Sequence, residues 1–221
     1  MTTPIPNPSR PGAGWWWLLV LCTGVALVSW LAYGAALRPM QATAQNPIGF
    51  DHHPPLAFYA HVFGASLALL IGPWQWLPGL RQRRPKLHRW LGRVYLLGGV
   101  LVGGLSGLVL AFQAFGGPLS QIGFGLLALL WLVSGWRAYR AIRQGRVDEH
   151  RRWMLRNFAL ACAAVTLRLY LPLAFVSGLP LAPAYAAIAW LCWVPNLLWA
   201  EWHIRRTATA PATARRDAFA G

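Results

Sequence analysis

Residues 148–172 read DEHRRWMLRNFALACAAVTLRLYLP, with His150 at the start of an apolar run and Arg168 near its end. Imidazole ligates metals and haem iron and carries protons near neutral pH. Guanidinium is a permanent cation that grips carboxylate or phosphate. Steps of three or four from His150 visit Met154, Asn157, Ala161, Ala164 and Arg168. The 18 positions from His150 to Arg168 make about five helical turns, so both residues point the same way. A face that is small and polar in lipid turns toward protein.

Two other segments carry a comparable stripe. One runs His61, Gly64, Ala65, Ala68, Gly72, Gln75; the other His88, Gly92, Tyr95, Gly99, Gly103, Ser106. Small residues alone are explained by close helix packing. A histidine at one end of all three stripes points further, toward a site.

The elements that must position these residues are membrane helices. Of 221 residues, 57% are hydrophobic and 11% charged, against about 25% charged in soluble domains. Six stretches are long enough to cross a hydrocarbon core, near 15–37, 56–78, 91–113, 121–141, 153–176 and 183–203. The expected fold is therefore all-α and polytopic, with six transmembrane helices and helices 2–5 forming a four-helix bundle core. Residues 1–13 form a proline-rich lead, 14–204 one membrane domain, and 205–221 a low-complexity tail. The first helix has an apolar region too long for a signal peptide and reads as uncleaved. Cys22, Cys162 and Cys192 lack metal spacing and a disulfide pattern, and read as packing residues.

The connections alternate between basic and nearly uncharged. Of the 20 Lys and Arg, all but Arg38 and Arg168 fall on one side. By the positive-inside rule that side, with both termini, is cytoplasmic, which implies a bacterial inner-membrane protein. Tryptophans 15–17, 74, 76, 90, 136, 153, 199 and 202 cluster toward the same side, at headgroup depth. The net charge of +15 is a topology signal and not a nucleic-acid footprint.

This topology sorts the histidines. His88 and His150 lie at the inner ends of helices three and five, and His203 at the inner end of helix six. His61 lies in the outer half of helix two, just after His52 and His53 in the outer loop. Arg168 belongs to the outer half as well. It either snorkels to the outer headgroups or faces the bundle and needs an anion. Asp51 is the one outer carboxylate; otherwise the partner is a ligand, a carbonyl or water.

His61, Gly72-Pro73, Leu87-His88-Arg89, Gly92-Arg93-Val94-Tyr95, His150-Arg151-Arg152-Trp153-Met154 and Arg168 together resemble a bacterial family of predicted membrane proteins, domain of unknown function 2306, over about residues 56–176. A looser resemblance is to diheme b-type cytochromes with a four-helix core. It implies haem b between helices three and five, ligated by His88 and His150. Helix four offers no histidine to complete a second pair with His61.

Two main functions follow. In a redox protein, a membrane oxidoreductase or electron-transfer component, His88 and His150 would hold haem b. Arg89, Arg93, Arg151 and Arg152 would meet its propionates and Tyr95 would line the site, while His61 and Arg168 would form an outer site for quinone. In a non-redox binding or transport protein, His61, Arg168, Asp51 and Asn157 would hold a small anionic or polar ligand, and the inner Arg/His cluster would grip lipid phosphate. His52, His53 and His61 are a candidate metal set. In a third reading the inner histidines are interfacial groups of an assembly protein. A nucleophile elbow, HExxH and a phosphate loop are all missing, and carboxylates are few, which argues against a hydrolase.

Overall fold

The computed structural model describes residues 11–34, 48 and 53–209. They form six long helices: α1 Ala13–Tyr33, α2 Pro55–Gln75, α3 Pro85–Ala111, α4 Pro118–Arg143, α5 Val147–Val176 and α6 Leu181–Ala208. A short helix, Pro78–Arg83, joins α2 to α3, and the described residues contain no strand. All six are long and apolar enough to cross a membrane.

Proline opens α2, the short helix, α3 and α4, where its missing N–H costs nothing and its fixed φ suits the first turn. Between α3 and α4 the chain reverses through Gly116 and Gly117, at φ 87° and 79°, a left-handed backbone that side chains rarely accept.

Three helices extend beyond the apolar runs at the arginine-rich end. α3 begins at Pro85 and not near 91, and α5 at Val147 and not near 153. α6 continues to Ala208, into residues expected to be tail. The charged cluster that opens α5 is helical because Asp148 and Glu149 occupy its first turn, where acids complement the helix dipole. Arg146 and Glu149 pair at 2.7 Å, and Arg151 and Asp148 at 3.6 Å.

Cross-helix contacts show that chain neighbours are antiparallel. Trp15 meets Trp74 while Tyr33 meets Phe58, and His150 meets Ala138 while Asn157 meets Trp131. Helices α2 to α5 form a ring, with α3 and α5 across the diagonal; α1 packs on α2 and α5, and α6 on α4 and α5. The four-helix centre expected from sequence is present.

Most stripe glycines serve this packing. A Cβ on Gly64 would lie 2.8 Å from the Gly103 nitrogen, and one on Gly99 2.9 Å from the Ala68 Cβ. The backbones of α2 and α3 touch there, as small residues permit in lipid. Large side chains such as Leu97, Val109, Leu129 and Val176 point outward. Lipid solvates them, so the interior is left to small and polar groups.

In the centre, Tyr95, Asn157 and Ser134 join α3, α5 and α4. The Tyr95 hydroxyl donates to Asn157 Oδ1 at 2.7 Å. Asn157 Nδ2 donates to the Trp131 carbonyl at 2.8 Å and to Ser134 Oγ at 2.9 Å. Each polar group thus finds a partner away from water. Above Tyr95, residues Tyr95–Leu101 of α3 are π-helical, a wider turn that the sequence stripe did not foretell.

Candidate functional site

The helix ends opposite the arginine-rich loops enclose a cavity of about 220 Å³. Its wall includes His53, Phe58 and His61 near the start of α2, Gly103 and Gly107 of α3, and Phe124 and Trp131 of α4. Ala161, Ala164 and Arg168 of α5, Tyr33 of α1 and Tyr185 of α6 complete it. All six helices or their flanking residues contribute, and the lining is mostly apolar with a few polar tips.

Arg168 decides the character of this space. The side chain faces the bundle and does not snorkel. Nη1 donates to the Ala164 carbonyl at 3.0 Å, and Nη2 to Ser29 Oγ of α1 at 2.9 Å. Helical side chains lean toward the helix N-terminus, which for α5 is the arginine-rich end. The guanidinium therefore folds back toward the middle of the bundle. A guanidinium has five N–H donors, so these two bonds leave capacity for an occupant of the cavity.

Among the described residues no carboxylate reaches Arg168. The described acids are Asp148, Glu149 and Glu201, and each pairs at the far end with Arg151, Arg146 or Arg156. Asp51 and His52 lie outside the described residues. Of the partners foreseen for Arg168, a carbonyl is observed and a serine hydroxyl is added.

His61 lies on the α2 wall of the same cavity. Its Nδ1 is 2.8 Å from the Gly103 carbonyl. A carbonyl only accepts, so Nδ1 carries the proton and Nε2 keeps its lone pair. The ring rests on Gly107, where a Cβ would come within 3.0 Å of Nδ1. Gly107 thus makes room for a histidine and not for a neighbouring helix. His61 and Arg168 lie within electrostatic reach of one another, a basic acceptor and a permanent donor across one space.

Asn157 is not part of this cavity; it is spent in the core network with Tyr95 and Ser134. His53 and His61 do share the cavity, but the described residues contain no group of three metal-ligating side chains. Tyr33, Tyr185 and Ser29 had not been foreseen. Their signal is weak, because a lone Tyr or Ser on an apolar helix is as ordinary as a packing residue.

The arginine-rich end gathers other histidines. His88 and His150 lie within electrostatic reach of each other. His150 Nδ1 donates to the Ala138 carbonyl at 2.9 Å, which leaves its Nε2 as an acceptor, and His88 Nδ1 is buried with no partner. Arg89, Arg93 and Arg152 are exposed, and Arg151 leans toward Asp148. Burial, with Arg151 nearby, pulls the Arg81 guanidinium below its usual range.

A haem between α3 and α5 fits this arrangement poorly. The direct bond from Tyr95 to Asn157 closes the diagonal. A Cβ on Gly99 would already meet Ala68, so this stretch of α3 leaves no room for a macrocycle. Tyr95 faces that core bond and not the histidines. Only His88 and His150, at the helix ends, remain as candidate ligands.

The model of a family described as predicted membrane protein (DUF2306) matches residues 58–204. The match runs past the region of resemblance expected to end near 176 and takes in most of α6. No curated protein and no solved structure matches the chain.

Proposed function

This chain belongs to the DUF2306 family of predicted membrane proteins, and we propose that it binds a small anion with an apolar body in the cavity between His61 and Arg168. The observation that carries this reading is the inward Arg168, which meets a carbonyl and a hydroxyl but no acid among the described residues. An arginine within a membrane helix costs up to about 2.5–3.5 kcal/mol, the value at the helix centre on insertion scales. Such a residue is retained where it pairs, and here the pairing group comes from the ligand.

The remaining wall describes that ligand. Phe58, Phe115, Phe124 and Trp131 favour an apolar, preferably flat body. A cavity of about 220 Å³ is below the ~300 Å³ at which drug-sized pockets begin, so the molecule is small. Arg168 binds its carboxylate or phosphate. His61 Nε2 accepts a hydrogen bond from a hydroxyl on the ligand, or takes its proton. With the arginine-rich end in the cytoplasm, the cavity lies toward the outer side of an inner membrane, and the ligand enters from there.

Thermal unfolding of detergent-purified protein with small aromatic carboxylates tests this reading. A saturable rise in midpoint is expected for the wild type and absent in Arg168→Leu. No rise with any carboxylate or phosphate ester, in wild-type protein that is folded, overturns it.

A second, redox reading is favoured by one observation, the unpartnered His88 Nδ1 beside His150. In that reading His88 and His150, at the helix ends, would hold haem b, and the group would supply one-electron chemistry. A Soret band in protein expressed with ample haem, lost in His88→Ala, would support it; colourless protein would end it.

A further inference from the structure

A second polar niche lies at the arginine-rich end and is independent of the cavity. Gln75, at the end of α2, is 8% exposed, and its Nε2 has no partner. His88 Nδ1 is likewise buried and unpartnered. Gly92, one turn beyond His88 on α3, faces Gln75. A Cβ there would meet only Gln75 Oε1, at 3.5 Å. Unlike Gly64 and Gly99, this glycine is not filled by a neighbouring helix.

The surroundings of the niche are cationic. The Arg81 guanidinium bends over the same corner and donates to the Trp76 carbonyl at 3.0 Å. His150 and Arg81 lie within electrostatic reach of His88, and Arg151 of Arg81. No described acid enters. Asp148 is 83% exposed on the outer side of Arg151, and Glu149 and Glu201 are held by Arg146 and Arg156. An amide N–H and an imidazole nitrogen, both buried and without a partner, thus lie among cationic side chains.

We infer that the niche formed by Gln75, Arg81, His88 and His150 binds a phosphoryl group. A phosphoryl oxygen accepts from the amide and imidazole N–H groups and from guanidinium at once. The niche lies at the depth of the tryptophan-rich helix ends, where lipid headgroups reside. The group can therefore come from an anionic lipid or from free phosphate, two sources with one chemistry.

The test uses the full chain in maltoside micelles stripped of phospholipid. Inorganic phosphate is titrated in one arm and phosphatidic acid in mixed micelles in the other, and thermal unfolding is followed. A saturable rise in either arm is expected. A response to phosphate identifies the free ion, and a response to phosphatidic acid alone identifies the lipid. The double variant Gln75→Leu/His88→Leu should weaken half-saturation by about tenfold or more. Should it fail to fold, Gln75→Glu serves, because it supplies the missing acceptor within the chain. It should unfold at higher temperature without phosphate and lose the phosphate response. If wild-type protein responds in neither arm, or Gln75→Glu responds as the wild type does, the niche holds only water and the inference is overturned.

Discussion

At the arginine-rich end, Arg146, Arg151 and Arg156 each meet an acid, and their neighbours reach solvent or stack on tryptophan. Trp153 has Arg137 at 4.9 Å and Arg156 at 4.6 Å from its ring. At the other end a single described cation, Arg168, is turned inward among aromatic side chains with no described acid nearby. Charge near water is cheap, so many cations are tolerated there and each contributes little. Charge inside the bundle is expensive, so a cation there needs partners.

The largest expected effect separates these two ends. Arg168→Leu should weaken binding of a small carboxylate by about 10- to 100-fold, the worth of a hydrogen-bonded charge. Arg152→Leu, at the exposed end, should leave binding within about twofold. Calorimetric titration in nanodiscs distinguishes them, and equal losses would mean that the two ends do not differ in kind.

Next in size is the polar core that divides the ends. Asn157→Leu leaves the Tyr95 hydroxyl without its acceptor and should cost about 1–3 kcal/mol of stability, read from denaturant unfolding in detergent. Ligand affinity should change little, because Asn157 does not line the cavity. A large loss of affinity without loss of stability would return Asn157 to the binding site.

The smallest effect belongs to the paired end. Arg156 and Glu201 join α5 to α6 through two contacts, one of 2.9 Å between Nη2 and Oε2. Glu201 is partly exposed, so Glu201→Gln should cost about 1 kcal/mol or less, and less still in high salt. A cost several times larger, unaffected by salt, would show that this end too is shielded from water.

One prediction bears on the scaffold itself. Cys22 of α1 lies beside Cys162 of α5, and both are free thiols. A mild membrane-permeant oxidant should cross-link them, giving a faster band on a non-reducing gel that Cys22→Ser abolishes. A faster band that persists in Cys22→Ser would mean that Cys162 pairs elsewhere, and would place α1 away from α5.

Hydropathy and charge alternation made the helices legible, because lipid demands long apolar runs and cations mark one end. The stripe from His150 to Arg168 was also readable. Its members face inward, although Cys162 interrupts the helix between Ala161 and Ala163. What the pattern did not separate was one inward residue from another. Asn157 and Arg168 share a stripe, yet one closes the core and the other opens onto a cavity. That difference depends on neighbours far away in the chain: Tyr95 and Ser134 for the first, Ser29 for the second. Tyr33 and Tyr185 reach the cavity from the first and sixth helices, which no periodicity within one helix foretells. Helix starts at Pro85 and Val147 were missed because amphipathic, charged turns do not look like membrane helix, although proline and first-turn acids mark them.

The most direct measurement compares an aromatic carboxylate with its uncharged methyl ester, binding to wild-type and Arg168→Gln protein in nanodiscs. An inward arginine that awaits a ligand anion predicts that wild type prefers the acid by about tenfold or more, and that Arg168→Gln binds acid and ester alike. If wild type binds the ester as well as the acid, or if Arg168→Gln keeps the preference, the buried cation is not there to hold a ligand.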